Sequence, residues 1–302
     1  MQLTTAALES MYYGFSRMFE AAFTATAPWV DAIATTTTST TRENRYPWMA
    51  SIPKLREWIG ERILHNLALR SYAIVNKDWE DTVEVDRNDV EDDNLGVYAP
   101  IMATLGQQAR LWPQDMVLAT LKAGETAVGF DGQPFFNANH PLNVDNTGGG
   151  VYSNLFTGTA LTADNYNTVR AAMRVINDEQ GRTLGVNPDI LLVPPQLERM
   201  AKSIVDAEMY AVGGVVVNNV MRGTARVIVA SELADEPGNW YLLDSTKPIK
   251  PIIAQIRKQP QLVALTDPTT ENVFFRKKFI YGVDSRGNAG FSLPFLAAKA
   301  KA

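Results

Sequence analysis

The chain has 302 residues, of which 46% are apolar and none is cysteine, and its formal net charge is -5. At about 150 residues per domain, the length points to one large or two smaller domains with ample core. The totals exclude disulfides, thiolate metal sites and cysteine nucleophiles, and they leave nucleic acid only a local patch to contact. No apolar run reaches the about 18 residues of a membrane span. Glu9, Arg17 and Glu20 interrupt the first apolar stretch and no basic segment precedes it, which argues against a signal peptide.

Residues 3–24 predict an amphipathic helix capped at Thr4 or Thr5, with Leu8, Met11, Tyr12, Phe15, Met18, Phe19 and Phe23 on one face. Such a helix either packs on its own domain or docks as an arm on a neighbouring subunit or scaffold. Thr35–Thr41 favours extended chain and reads as a connecting arm. Arg42–Ile52 reads as irregular backbone restricted by Tyr46-Pro47-Trp48. Residues 61–87 predict a β-hairpin with limbs Arg62–Val75 and Thr82–Asp86 and a polar tip at Asn76-Lys77-Asp78. A helix competes for the first limb. An isolated ribbon is marginal in water, so it must lie on its own domain or on another chain.

The rest of the chain is arranged around Asp89–Gly124. Asp89, Glu91, Asp92 and Asp93 suit a helix N-terminus, and Ile101, Leu105, Ala109, Trp112, Met116 and Leu121 then follow helical spacing. Lys122 and Gly124 supply a stop, while Pro100 and Pro113 predict one kink or break near Leu111. Asp131-Gly132 signals a turn within Val128–Leu142, and Asn146–Gly150 a loop. Thr162 caps a helix striped by Tyr166, Val169, Met173 and Ile176. Asp189–Val193 is a buried strand, and Pro194-Pro195 opens a helix lined by Leu197, Met200, Ala201, Ile204 and Val205. Val212–Val220 is too apolar for the surface loop of an isolated monomer. Arg226–Ala230, Trp240–Leu243, Pro248–Leu265 and Val273–Val283 read as strands. Helices and strands are segregated, so the fold class is α+β.

No constellation of catalytic residues emerges. The two histidines, His65 and His140, sit on different elements, and a zinc site would need both plus carboxylates. No nucleophile-elbow pattern surrounds a serine. Gly148-Gly149-Gly150 lacks the ending and the helix of a phosphate cradle. The Asp89–Asp93 cluster lacks EF-hand spacing. Arg276-Lys277-Lys278, beside Phe274, Phe275 and Phe279, is either a solvated strand face or a salt-sensitive phosphate contact, and Lys299 and Lys301 are a weaker version of the same. No catalytic, cofactor-binding or metal-binding residue is therefore assigned, and no cofactor is expected. Long arms, a ribbon, a spine-like helix and apolar loops suit a chain that packs against copies of itself.

The order of these elements resembles the major capsid proteins of tailed bacteriophages. Phe130-Asp-Gly-Gln-Pro-Phe-Phe-Asn-Ala-Asn-His-Pro141, Asp92-Asp93-Asn94-Leu95-Gly96 with Tyr98, and Leu191–Pro195 with Leu197-Glu198 are similar to the major head subunit of Mu-like phages and prophages, the gpT family. The resemblance implies a Hong Kong 97-type fold: an N-arm (1–53), an E-loop hairpin (54–88), the spine helix and first part of the P domain (89–159), an A domain (160–246) and the remainder of the P domain (247–302). It implies hexamers and pentamers of this chain in an icosahedral virion shell, assembled in the bacterial host cytoplasm around double-stranded DNA. Scaffolding protein, portal and a decoration protein are the implied partners, with no membrane and no enzymatic activity. Because the arm begins almost at Met1, scaffold function is expected from a separate protein. Lysine–asparagine cross-linking between subunits, which some relatives carry out, finds Lys77 near the ribbon tip but no aligned carboxylate. An encapsulin-like nanocompartment is the alternative within the same fold. A monomeric binding domain or enzyme is the alternative outside it.

Overall fold

A computed structural model describes residues 4–46, 72–92, 95–142, 150–178, 181–212, 215–267 and 270–302. The first half supplies helix α1 (Thr5–Ala25), strands β1 (Ala34–Thr38), β2 (Glu43–Tyr46), β3 (Tyr72–Val75) and β4 (Lys77–Asp86), the short helix α2 (Arg87–Glu91) and the long helix α3 (Ala99–Lys122). The second half supplies β5 (His140–Pro141), β6 (Val151–Tyr152), β7 (Leu155–Thr157), α4 (Ala163–Arg174), β8 (Ile190–Val193), α5 (Glu198–Val205), β9 (Met209–Val212) and β10 (Val215–Asn218). It ends with β11 (Arg226–Val229), β12 (Asn239–Leu243), β13 (Ile252–Leu265), α6 (Glu271–Arg276), β14 (Lys278–Phe291) and β15 (Ala297–Lys301).

Two sheets share α3. The four-stranded sheet runs β1-β13-β14-β4, with β1 parallel to β13 and the other pairs antiparallel. Alternate residues Phe279, Tyr281 and Val283 of β14 point to one face and pack, with Val85 and Leu262, on α1 and the first half of α3. Leu8, Met11, Phe15 and Phe19 of α1 bury their stripe in the same core. The crossing is close because position 106 is glycine. A Cβ there would overlap the carbonyl of Phe19.

The five-stranded sheet runs β11-β8-β12-β15-β7. Both its faces are covered. Ile190, Leu192, Tyr241, Leu243 and Ala297 face the second half of α3 with Phe135 and Phe136. Leu191, Val193, Trp240, Leu242 and Ala298 face α4 and α5. The second half of α3 also meets Ile252, Ala254, Ile256 and Phe291 of the four-stranded sheet, so one helix buries a face of each sheet.

Several expectations need correction. α3 starts at Ala99 with Pro100 in its first turn, and Asp89 and Glu91 belong to the separate helix α2. α3 runs unbroken through Pro113, held by buried Trp112, Gln114 and Met116 on either side. Met102 is buried where Ile101 was expected, and Ile101 is exposed. Thr35–Thr38 is extended but belongs to an edge strand, since pairing with β13 satisfies its backbone. Glu43–Tyr46, expected to be irregular, is a strand.

The hairpin is rooted elsewhere than expected. β3 pairs with β2 and β4 pairs with β14, so the two supposed limbs are not partners. Asn76 is not a tip but a buried joint between consecutive strands. Most of the first limb, at 62–71, and His65 with it, lie outside the described residues, as do Pro47–Ile52 and Gly148-Gly149. Val273–Arg276 is helical rather than extended and turns at Lys277, which takes up the left-handed conformation at φ 57°. Lys299 and Lys301 are not a loose basic end. They lie on β15, an interior strand between β12 and β7.

Candidate assembly interface

The Asp131–Pro141 segment forms a buried polar knot. Asp131-Gly132 makes its turn, with Gly132 at φ 80° and the Gly129 N–H donating to Gln133 O at 2.8 Å. His140 is fully buried, with Nδ1 at 2.6 Å from Asp131 Oδ2 and its ring stacked on Tyr152. His140 Nε2 lies 3.1 Å from Asn154 Oδ1, which also accepts from Asn137 N–H at 2.8 Å. Asn154 Nδ2 donates to Phe135 O and Pro294 O at 2.8 and 3.0 Å. Burial and the nearby Asp131 push the Tyr152 phenol up. The His–Asp pair meets an amide and a carbonyl rather than a serine, so its geometry ties three chain segments together. Among the described residues no cluster of three or more histidines and carboxylates could hold a metal ion.

A second polar joint anchors the β2–β3 ladder. Asn76 Nδ2 donates to Ser39 Oγ at 2.9 Å and to Thr41 O at 2.8 Å. Gln255 on β13, fully buried, donates to Asn76 Oδ1 at 2.7 Å and accepts from the Tyr46 hydroxyl at 2.9 Å. The ladder pairs Tyr46 with Tyr72 and so brings together the two ends of residues 47–71. Nothing in the spacing of Asn76 and Gln255 announces this contact, because they are 179 residues apart.

Around this rigid frame lie unpartnered apolar side chains. Phe274 and Phe275 on α6 are 71% and 75% exposed. Met209, Val216, Val217 and Val220 are exposed on and beside the β9–β10 hairpin of the single chain, although the apolar character of Val212–Val220 argued against a surface loop in an isolated monomer. Tyr13 and Met18 are exposed on α1, Met18 against the expectation that it joins the buried stripe, while Tyr12 lies at the edge of that stripe and donates its hydroxyl to Leu262 O at 3.0 Å. Exposed aromatic and aliphatic groups in several places mark contact surfaces. The basic run is partly engaged: Lys278 meets Asp86 at 3.1 Å. The two C-terminal lysines are paired too. Lys301 Nζ lies 2.6 Å from Glu125, and Lys299, 2% exposed, lies 2.9 Å from Glu125 and 3.2 Å from Glu236. Lys77 opens β4 opposite Gly287.

Comparison with known proteins agrees with this geometry. The family model of the Mu-like prophage major head subunit gpT matches residues 8–160, 157–233 and 229–302. The Mu-like prophage FluMu major head subunit of Haemophilus influenzae is 31% identical over 96% of this chain and 71% of its own length. The major capsid protein of Escherichia phage Mu is 27% identical over 100% of this chain and 75% of its own length. Among solved structures, the procapsid of bacteriophage JBD30 superposes with a TM-score of 0.64 at 32% identity, covering 99% of this chain and 76% of that one. With matches from residue 8 to residue 302 and a common fold, this chain belongs to the Mu-like prophage major head subunit gpT family, a family of phage major capsid proteins.

Proposed function

We propose that this chain is the repeating subunit of an icosahedral phage head, assembled as hexamers and pentamers around double-stranded DNA. The observation that carries this is the whole-chain likeness to a procapsid subunit, which also favours it over a protein-filled nanocompartment. The A domain corresponds to residues 160–246 completed by β15, with the β9–β10 hairpin toward the capsomer centre. The spine is α3. The four-stranded sheet is the P domain. The E-loop, expected at 54–88, is reassigned to the part of the chain between β2 and β3, since β4 belongs to the four-stranded sheet, and its proposed role is to contact a neighbouring subunit. α1 packs on its own spine helix, so its outer face is the part left to meet a scaffold or neighbour.

Many modest contacts around a closed shell add as avidity, and closed symmetry leaves no edge to grow a fibre. The net charge of -5 suits a container that holds DNA without gripping it. Scaffolding protein and portal would be separate partners. The test is electron microscopy of the chain expressed with its neighbouring genes, beside a variant in which residues 49–69 are replaced by a short glycine-serine turn. Because the replacement keeps the β2–β3 base, it should fold and remain a small particle while the parent forms polyhedral shells. Shells of normal size from the variant would sink the E-loop assignment.

A further inference from the structure

β12 and β15 are adjacent antiparallel strands, with Asn239 opposite Lys301 and Tyr241 opposite Lys299. Residues two apart on a strand share a face, so Asn239 and Lys299 are diagonal neighbours on one face. Their side chains converge on a single atom. Glu236 Oε2 accepts from Asn239 Nδ2 at 2.7 Å and from Lys299 Nζ at 3.2 Å. The Tyr241 hydroxyl donates to the same oxygen at 3.0 Å, and Lys299 Nζ sits 5.4 Å from the centre of the Tyr241 ring. A primary amine, a primary amide and a bridging carboxylate are thus gathered at one point, with Lys299 2% exposed and Glu236 and Asn239 half-buried. Glu125 lies nearer to Lys299, at 2.9 Å, and is shared with Lys301 at 2.6 Å, so Glu236 is the carboxylate that joins Lys299 to Asn239.

We propose that Lys299 and Asn239 join in an intramolecular isopeptide bond, with Glu236 carrying the protons. Lys299 Nζ gives one proton to Glu236, and its lone pair forms the bond to Asn239 Cγ. A second Nζ proton reaches Nδ2 through the same carboxylate as the Cγ–Nδ2 bond breaks. Ammonia leaves and takes up the first proton as ammonium, so Glu236 ends ionised as it began. No oxidant or cofactor enters. Burial pushes the Glu236 carboxyl up, but Asn239, Lys299 and Tyr241 outweigh it and hold it below the usual carboxylate range, in the form that can accept a proton. Holding both reacting groups on adjacent strands replaces an encounter by a fixed geometry. The bond would weld the C-terminal strand to the sheet it completes.

The test is intact-mass spectrometry of the full denatured chain, taken from assembled particles and from purified monomer, followed by peptide mapping. The linked chain is lighter than its sequence by one ammonia, and a branched peptide joins residues 239 and 299. Glu236→Gln and Asn239→Ala each restore the full mass. Since the first measurement uses the unaltered chain, it does not depend on either variant folding. An unaltered chain at full mass would make this an ordinary buried ion pair and overturn the proposal. So would an ammonia deficit that maps to a cyclised asparagine in a linear peptide, or one that persists in Glu236→Gln.

Discussion

The two sheets differ in how much of themselves they cover. The five-stranded sheet is buried on both faces, and its strand β8 is apolar at every position, IleLeuLeuVal from 190 to 193. The four-stranded sheet covers one face with α1 and α3 but only one end of the other with the β2–β3 ladder, and it ends in β4, whose residues from Lys77 to Thr82 are exposed. The first sheet is complete within one chain, since burial of both faces supplies its stability. The second is built with surface to spare, beside α6 with its bare phenylalanines. A shell subunit needs both kinds of region: one that fixes its shape alone, and one whose free surface is satisfied only by neighbours.

Substitutions can break this contrast. Trp240, fully buried between β12 and the helical layer, donates from Nε1 to Thr159 O at 2.9 Å. Trp240→Ala should cost about 3–5 kcal/mol, read by denaturant unfolding of the monomer, because it leaves a cavity and an orphaned carbonyl. An intermediate effect is expected at the edge of the other sheet. Asp86 caps α2 through Asn88 N–H at 2.9 Å and pairs with Lys278. Asp86→Ala should cost about 1 kcal/mol.

That contribution depends on pH in a defined direction. The Asn88 N–H and then Lys278 hold the Asp86 carboxyl below its ordinary value. A carboxyl that titrates lower when folded stabilises fully above its unfolded value of about 3.9 and loses the contribution as pH falls through the lowered one. The gap in unfolding free energy between the parent and Asp86→Ala should therefore narrow in acid. A gap that widened there would contradict the pairing. The smallest effect on folding belongs to the free surface. Phe274→Ser with Phe275→Ser should move monomer stability by no more than about 0.5 kcal/mol while reducing the yield of shells in sedimentation. Normal shell yield would remove α6 from the contact surface.

The sequence by itself determined what depends on local periodicity and short-range caps. The stripe of α1 with its Thr4 cap, most of the apolar face of α3, the Asp131-Gly132 turn, α4 under Thr162, and β8 all follow from spacings of two, three and four residues. Tertiary structure decided which strands pair. β3 and β4 adjoin in sequence with a polar residue between them, which imitates a hairpin, yet each finds its ladder partner elsewhere. Local pattern specifies which face of a strand is apolar, but not which other strand completes its hydrogen bonds. Long-range closure also decided the chemistry. Lys299 reads as a solvated charge near the end of the chain until β15 enters the five-stranded sheet and sets it beside Glu125, Glu236 and Asn239. A buried charge is tolerated only where opposite charges from other segments converge on it, and that convergence exists only in the folded chain.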